Sequence, residues 1–477
     1  MEKPNKKNRF PFVIFQASLC LIALLLFEFG WNSIDFQLSC VLGTVFCALS
    51  LINLLLFKKK IIDPIVIFYV AFILFQYGLP IIRAFNPNFY SFYLSLFSDE
   101  NLLYCSNITI LCILFAGLGI VIIGERNAFH QSNILSDHNR KTIWTIFAII
   151  ALVTGVVSIY TQIRMVGYAR AYGYNYVKVD TMGITNSFTR LTDALFIPSL
   201  ILLIVFSDNK WKSLVSIVVA LIYAVLSVFG GGRTVAIGLI LAIGYHIYTM
   251  YLLPRFGKIS ILIVLIGGFL VAYAAVFVAA YRQEYSTNFT FGAIINSVFE
   301  EMGFNFTSIC FTRLYVNQST GFFEGQTYFN SLILMVPKSV DSTGYIDNLF
   351  NNIPETWLAA KLETTYGTFF EWGVGYSLIA EAYMNFGDFA YLAIFVIAFL
   401  LTWLIDKNQF GNTKLFSQYI KTVMAYALVT ASRRSIYTTL KEIEYDIILF
   451  VIIIGVIMFI APLFQNNDEV SNEQVLV

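Results

Sequence analysis

Apolar runs of about twenty residues recur along almost the whole chain, at about 10–29, 36–57, 62–82, 102–124, 142–163, 189–206, 213–229, 234–253, 259–281, 375–405, 415–431 and 447–464. Roughly twenty apolar residues in a helix cross the hydrocarbon core of a bilayer, and a helix satisfies its own backbone hydrogen bonds there. The pattern predicts an all-α, polytopic integral membrane protein with about twelve transmembrane helices. With 58% hydrophobic and 12% charged residues and a mean hydropathy of +0.74, a soluble globule is excluded. The net charge of +1 says nothing about partners, because the placement of charge matters more than its sum.

The basic clusters set the orientation. Lys58-Lys59-Lys60, Arg126 with Arg140 and Lys141, Lys210 with Lys212, Arg255 with Lys258, and Lys407 with Lys414 fall in every second loop, in phase with the basic N-terminus. The positive-inside rule then places both termini in the cytoplasm. The first run follows Lys3, Lys6, Lys7 and Arg9 but is long and lacks a small-residue cleavage site, so it reads as a retained span. The expected organisation is a transmembrane bundle of nine helices over 1–281, a large periplasmic loop of short helices over 282–373, C-terminal transmembrane helices over 374–465, and a disordered cytoplasmic tail over 466–477. The six cysteines show neither CxxC nor metal spacing, and most lie in apolar runs as small hydrophobes.

Counted by this topology, the inner side holds thirteen lysines and four arginines, the outer side four lysines and nine arginines. The outer set is Arg83, Arg164, Arg170, Arg190, Arg233, Arg282, Arg313, Arg433 and Arg434. Arginine suits bidentate recognition of phosphate and keeps its charge on partial burial. Arg164, Arg190, Arg233, Arg282, Arg433 and Arg434 fall at outer span ends, where they can converge on a lipid diphosphate; any single one can equally pair with lipid headgroups.

Two stretches stand out. Between two spans lie only Gly230-Gly231-Gly232-Arg233, which demands a tight hairpin with a cation at the first turn of the second helix. Helix-start amides beside a glycine-rich turn attract anions, so the site makes sense with an anion in it; snorkelling of Arg233 at the interface is the plainer alternative. After the large outer loop, Glu381, Asn385 and Asp388 stand at i, i+4 and i+7, one face of a helix. The apolar stretch around them is too long for a simple span and is expected to break near Gly387. An intramembrane carboxylate is a functional candidate, with a structural ion pair as the alternative. The three histidines fall on the inner side, and the outer segments lack clustered carboxylates for a divalent cation. Outer chemistry would therefore be metal-independent, built from carboxylate and arginine, without cofactor or nucleic acid.

These residues resemble the oligosaccharide repeat-unit polymerases, the Wzy-type O-antigen polymerases of bacterial envelopes. The likeness lies in Gly231-Gly232-Arg233, in Gly325-Gln326-Thr327-Tyr328 running to Val336-Pro337-Lys338, in Glu381-Ala382-Tyr383 with Asn385 and Gly387, and in Ser432-Arg433-Arg434. Lys338 stands where an arginine is more usual. The resemblance implies a GT-C-like membrane glycosyltransferase of the inner membrane that moves a growing chain from undecaprenyl diphosphate to the non-reducing sugar of a new undecaprenyl-diphosphate-linked unit on the periplasmic face, alongside a chain-length regulator protein. On that footing Arg233 and its glycines, Arg282 and Arg434 are expected at the donor diphosphate, with Glu381 as general base. Arg164, Arg170, Arg190, Arg313, Lys338, Asn385 and Arg433 are expected at the second lipid diphosphate or at the sugars, and outer tyrosines such as Tyr328 to stack on sugar rings. A lipid-linked oligosaccharide flippase would carry its arginines through the membrane interior, and an O-antigen ligase is expected to use an outer histidine, which this chain lacks.

Overall fold

A computed structural model of the chain describes residues 9–29, 34–58, 62–89, 91–124, 136–172, 187–257, 259–264, 266–267, 296, 299–300, 302–316, 321–336, 341, 343–367, 375–406 and 414–460. Every regular element among them is helical. Helices α1 (Phe10–Phe29), α2 (Phe36–Lys58), α3 (Pro64–Phe85) and α4 (Asp99–Ile123) form one group, and α5 (Asp137–Tyr172), α6 (Ser187–Phe206), α7 (Lys210–Gly230) and α8 (Arg233–Ile247) a second. Eight helices among the described residues are long and apolar enough to cross a membrane, and Leu191–Phe206 is a shorter apolar one. The expected span at 259–281 lies largely outside the described residues.

The first run belongs to the bundle. Gln16 of α1 is buried and donates to Ser50 Oγ (2.7 Å) and to the Leu114 carbonyl (2.9 Å), tying α1 to α2 and α4. Such polar contacts join helices where lipid offers no hydrophobic drive. The six cysteines are all buried and free.

Between 282 and 373 the described residues form short helices: α9 (Phe306–Tyr315), α10 (Gln326–Ile333), α11 (Tyr345–Asn351) and α12 (Pro354–Tyr366). They are not all superficial. Phe306, Cys310 and Phe311 of α9 are 0% exposed, because α9 sits against α3, α4 and the next helix, α13 (Leu378–Phe386). Ser377 starts α13 by accepting from the Ala380 amide at 2.9 Å, and Gly387, at φ +55°, ends it in a backbone region that favours glycine. A 3₁₀ turn at Gly387–Phe389 leads into α14 (Ala390–Asp406), so the break falls where the sequence places it.

That break corrects one expectation. Glu381 and Asn385 share a buried face, but the turn carries Asp388 out to the surface, where its carboxylate accepts from the Tyr104 hydroxyl. α15 (Lys414–Ala431) lies between the two groups, against α3 on one side and α8 and α6 on the other. α16 (Ile436–Ile443) follows, and a π turn at Glu444–Ile448 connects it to α17 (Leu449–Ile460).

Candidate functional site

Three of the four motifs that carry the resemblance meet around one turn. α15 ends at Ala431 and α16 starts at Ile436, leaving Ser432-Arg433-Arg434-Ser435 as a tight link. Its backbone is held by four side chains from distant parts of the chain. Gln76 of α3 donates to the Ser432 carbonyl (2.6 Å), and Asn305 donates to the Arg433 carbonyl (3.0 Å). Glu355 of α12 accepts from the Ser435 amide (3.1 Å) and hydroxyl, and Glu381 of α13 accepts from the Ile436 amide (2.6 Å). Two carboxylates thus satisfy amides at the start of α16, where free N–H groups and the helix dipole favour negative charge.

The other oxygen of Glu381 accepts from the Thr327 hydroxyl at 2.8 Å. Thr327 is the hub of a small network: its hydroxyl accepts from Asn385 Nδ2 (2.7 Å), which also donates to the Glu381 carbonyl (2.8 Å), and its amide donates to Asn385 Oδ1 (3.4 Å). The Gly325-Gln326-Thr327-Tyr328 motif thereby lies on the Glu381 face. Just upstream, the Phe323 and Glu324 amides donate to the Met384 and Asn385 carbonyls, both at 3.0 Å, satisfying carbonyls at the end of α13. Tyr328 stacks on Phe386 with ring centroids 5.8 Å apart, so that face of its ring is covered.

Within this frame the side chains differ in access. Glu381 is 0% exposed with both carboxylate oxygens engaged. Arg433 is half-buried, its guanidinium 5.8 Å from the Phe75 ring, whereas Arg434 is exposed. The Arg434 cation acts on Glu442 of α16, a half-buried carboxylate that accepts from the Thr430 hydroxyl. Burial raises the Glu442 carboxyl to about 7, and Arg434 and Thr430 oppose that rise. Glu442 was not singled out in the sequence; the signal available was its i, i+4 pairing with Asp446 just ahead of the last apolar run.

The fourth motif comes to the same end of the bundle. Gly231, at φ +99°, caps α7, and the Gly232 amide donates to the Ser227 carbonyl at 2.7 Å before α8 begins at Arg233. α8 and α15 run antiparallel: a Cβ on Gly238 would lie 2.7 Å from the Tyr426 ring, and Gln418 donates to the Thr249 hydroxyl at 2.9 Å. Carried along the pair, this register sets Arg233 level with the turn that follows Ala431.

The remaining candidates are dispersed. Arg164 and Arg170 are exposed on the last turns of α5, and Arg190 lies in the first turn of α6. Arg313 belongs to a separate cluster: it donates to Asn101 Oδ1 at 2.7 Å and lies 4.0 Å from the centroid of the Tyr104 ring. Arg83 is used locally, donating to the Phe89 carbonyl at 3.0 Å. Arg282 and Lys338 lie outside the described residues. Among the described residues, no three His, Cys, Asp or Glu side chains gather as metal ligands.

Compared with known proteins, residues 10–467 match the model of a family described as O-antigen polysaccharide polymerase Wzy. No curated protein and no solved structure matches the chain.

Proposed function

The chain belongs to the O-antigen polysaccharide polymerase Wzy family, which acts on lipid-linked oligosaccharide repeat units, and from that premise we propose that it joins those units at the arginine turn between α15 and α16. The growing chain leaves undecaprenyl diphosphate and is transferred to the non-reducing sugar of a new lipid-linked unit. The reaction takes place on the periplasmic face of the inner membrane, with both termini in the cytoplasm. The observation that supports this most is the pinned turn itself: three buried side chains and the half-buried Glu355 fix the backbone of residues 432–436 while Arg434 stays exposed.

The chemistry has two demands. An acceptor hydroxyl oxygen bonds to the anomeric carbon of the donor sugar, and the bond from that carbon to the diphosphate oxygen breaks. The electron pair leaves with the diphosphate, so negative charge develops there. Fixed donors aimed at developing charge stabilise a transition state without reorganising, and arginine does so in bidentate fashion. Arg434 takes this role, with Arg233 and the free amides at the start of α8 on the same diphosphate and no metal in the step.

The acceptor proton needs a base. Glu381 would have to abandon two hydrogen bonds to take it, so its role here is to position the arginine turn, together with Glu355, Gln76 and Asn305, while Asn385 holds Glu381 and Thr327 in register. Glu442 is half-buried, lies beside Arg434 and titrates near neutrality, which matches a general base. Its deprotonated form is the active one, so polymerisation should rise with pH through about 7. The Glu442→Gln protein should lose both that rise and most of its rate. A Glu442→Gln protein with the wild-type profile would return the base to another residue.

The reading as a whole is tested by the lipopolysaccharide of the native host with the gene deleted and then restored. Reduction of the ladder to core with a single repeat unit, recovered on complementation, is expected. Loss of every repeat unit would instead point to a flippase or ligase.

A further inference from the structure

A groove of about 790 Å³, lined almost wholly by apolar side chains, runs along the outside of the second helix group between α5, α6 and α7. Trp144, Trp211 and Lys212 line one end of it and Tyr160 and Ile163 the other, with Gly155 between. From Trp144 to Ile163 along α5 is about 28 Å at the usual helical rise of ~1.5 Å per residue, close to the ~30 Å of a bilayer's hydrocarbon core. The groove's α5 wall therefore extends over the depth of the membrane, while the α6 wall (Phe196 to Leu203) and the α7 wall (Trp211 to Val219) flank the half nearer Trp144. Gly155 shapes its floor, since a Cβ there would lie 2.6 Å from the Phe196 ring, which fills the space instead.

The two ends differ in charge. At the Trp144 end, Lys212 lies 4.6 Å from the indole centroid and pairs with Asp208 at 2.9 Å, so its charge is already matched. At the Ile163 end the groove opens beside the glycine turn: a Cβ on Gly230 would lie 3.0 Å from Gln162 Oε1 and 3.3 Å from Met165 Cβ. Arg164 is exposed at this mouth, Arg170 is exposed further along α5, and Arg233 begins α8 three residues after Gly230. An occupant that complements this surface has a long apolar chain and a strongly anionic head at one end.

We propose that this groove holds the polyprenyl chain of a lipid-diphosphate-linked substrate, with its diphosphate at the mouth between Arg164 and the Gly230–Arg233 turn. The assignment rests on the function proposed above and adds where the lipid lies. The α8–α15 register sets Arg233 level with Arg434, so a diphosphate at this mouth stands at the height where the glycosyl bond is to be broken. A phospholipid carries one phosphate where this mouth sets the exposed Arg164 beside a helix start, with Arg170 further along α5, which favours the diphosphate lipid.

The test is photocrosslinking of the full-length purified protein in nanodiscs with polyprenyl diphosphate bearing a diazirine in its chain, mapped by mass spectrometry. Adducts on the groove faces of α5 and α7 are expected, competed by excess undecaprenyl diphosphate and not by undecaprenol or phosphatidylglycerol. Adducts confined to other helices, or equal competition by phosphatidylglycerol, would overturn the assignment. Filling the groove with Val219→Trp should raise KM for the lipid-linked unit about tenfold with kcat little changed, the signature of lost binding shared by ground and transition states. An unchanged KM in a folded variant would also overturn it. Groove labelling by a protein that never polymerises would keep the lipid site and sink the polymerase reading; polymerisation with labelling elsewhere would do the reverse.

Discussion

Lys58 and Arg434 stand at opposite ends of the bundle, and the fold treats them in opposite ways. Lys58 is 1% exposed, with its ammonium 2.5 Å from Asp406 and 3.7 Å from Asp63. Nearby, Arg9 donates to the Ile122 and Gly124 carbonyls, so at this end both cations bind groups within the bundle. At the other end the buried polar side chains Gln76, Asn305 and Glu381, with half-buried Glu355, bind backbone groups, and the cation they support is left in the open. The lysine end spends its charge on joining α2 to α14. The arginine end keeps its charge within reach of a ligand, because a rigid turn holds the guanidinium exposed, with only the half-buried Glu442 carboxylate acting on it from within the fold among the described residues.

If that contrast is right, substitutions at the two ends should fail in different ways. The largest effect is expected from Lys58→Met, which removes the ammonium that pairs with the buried Asp406 carboxylate; the loss should be about 3–5 kcal/mol in stability, read as a lower melting temperature. The double variant Lys58→Met with Asp406→Leu should recover most of it, because apolar replacement of a buried pair is close to neutral. Polymerisation per folded molecule should stay near wild type in that double variant. Next comes Arg434→Ala, expected to lower the rate by about 10²–10³ with little change in melting, since the side chain is exposed. Arg434→Lys should restore only part of it, because an ammonium cannot bind a diphosphate through a planar fork.

A smaller effect, about tenfold on rate, is expected from Glu381→Gln. The amide keeps one acceptor oxygen but turns the other position into a donor facing either Thr327 or the Ile436 amide, loosening the turn without removing its cations. The smallest is expected at Asp388→Asn, within about twofold on rate and about 0.5 kcal/mol on stability, since the 3₁₀ turn carries this residue away from the site. An Asp388 variant as damaged as the Glu381 variant would mean that the helix face read from the sequence, rather than the broken one, is the working surface.

Local features were legible in the sequence because they depend on near neighbours. The hairpin at Gly231 and Gly232 and the break at Gly387 both follow from backbone freedom that only glycine gives cheaply, and both are present. The membrane-spanning helices follow from run length, although the described residues contain eight long apolar helices where about twelve crossings are expected over the whole chain. Asp388 was misplaced because the i, i+7 spacing assumes a continuous helix, and the break that the sequence itself signals rotates the face away. Burial of α9 was hidden for another reason: its Ser and Thr content, just after Asn305, reads as loop, yet Thr307, Ser308 and Thr312 donate to carbonyls three or four residues back and so can be buried. The pinning of the arginine turn was out of reach, since its partners Gln76, Asn305, Glu355 and Glu381 come from four separate segments that nothing in their spacing connects.

The most direct test of the central claim is the rate of polymer formation from purified lipid-linked repeat units by Arg434→Ala protein that melts as the wild type does. A fall in kcat of about 10²–10³, partly restored by Arg434→Lys, is the predicted result. A wild-type rate in the alanine variant would show that the exposed arginine of the pinned turn does not bear the leaving diphosphate's charge.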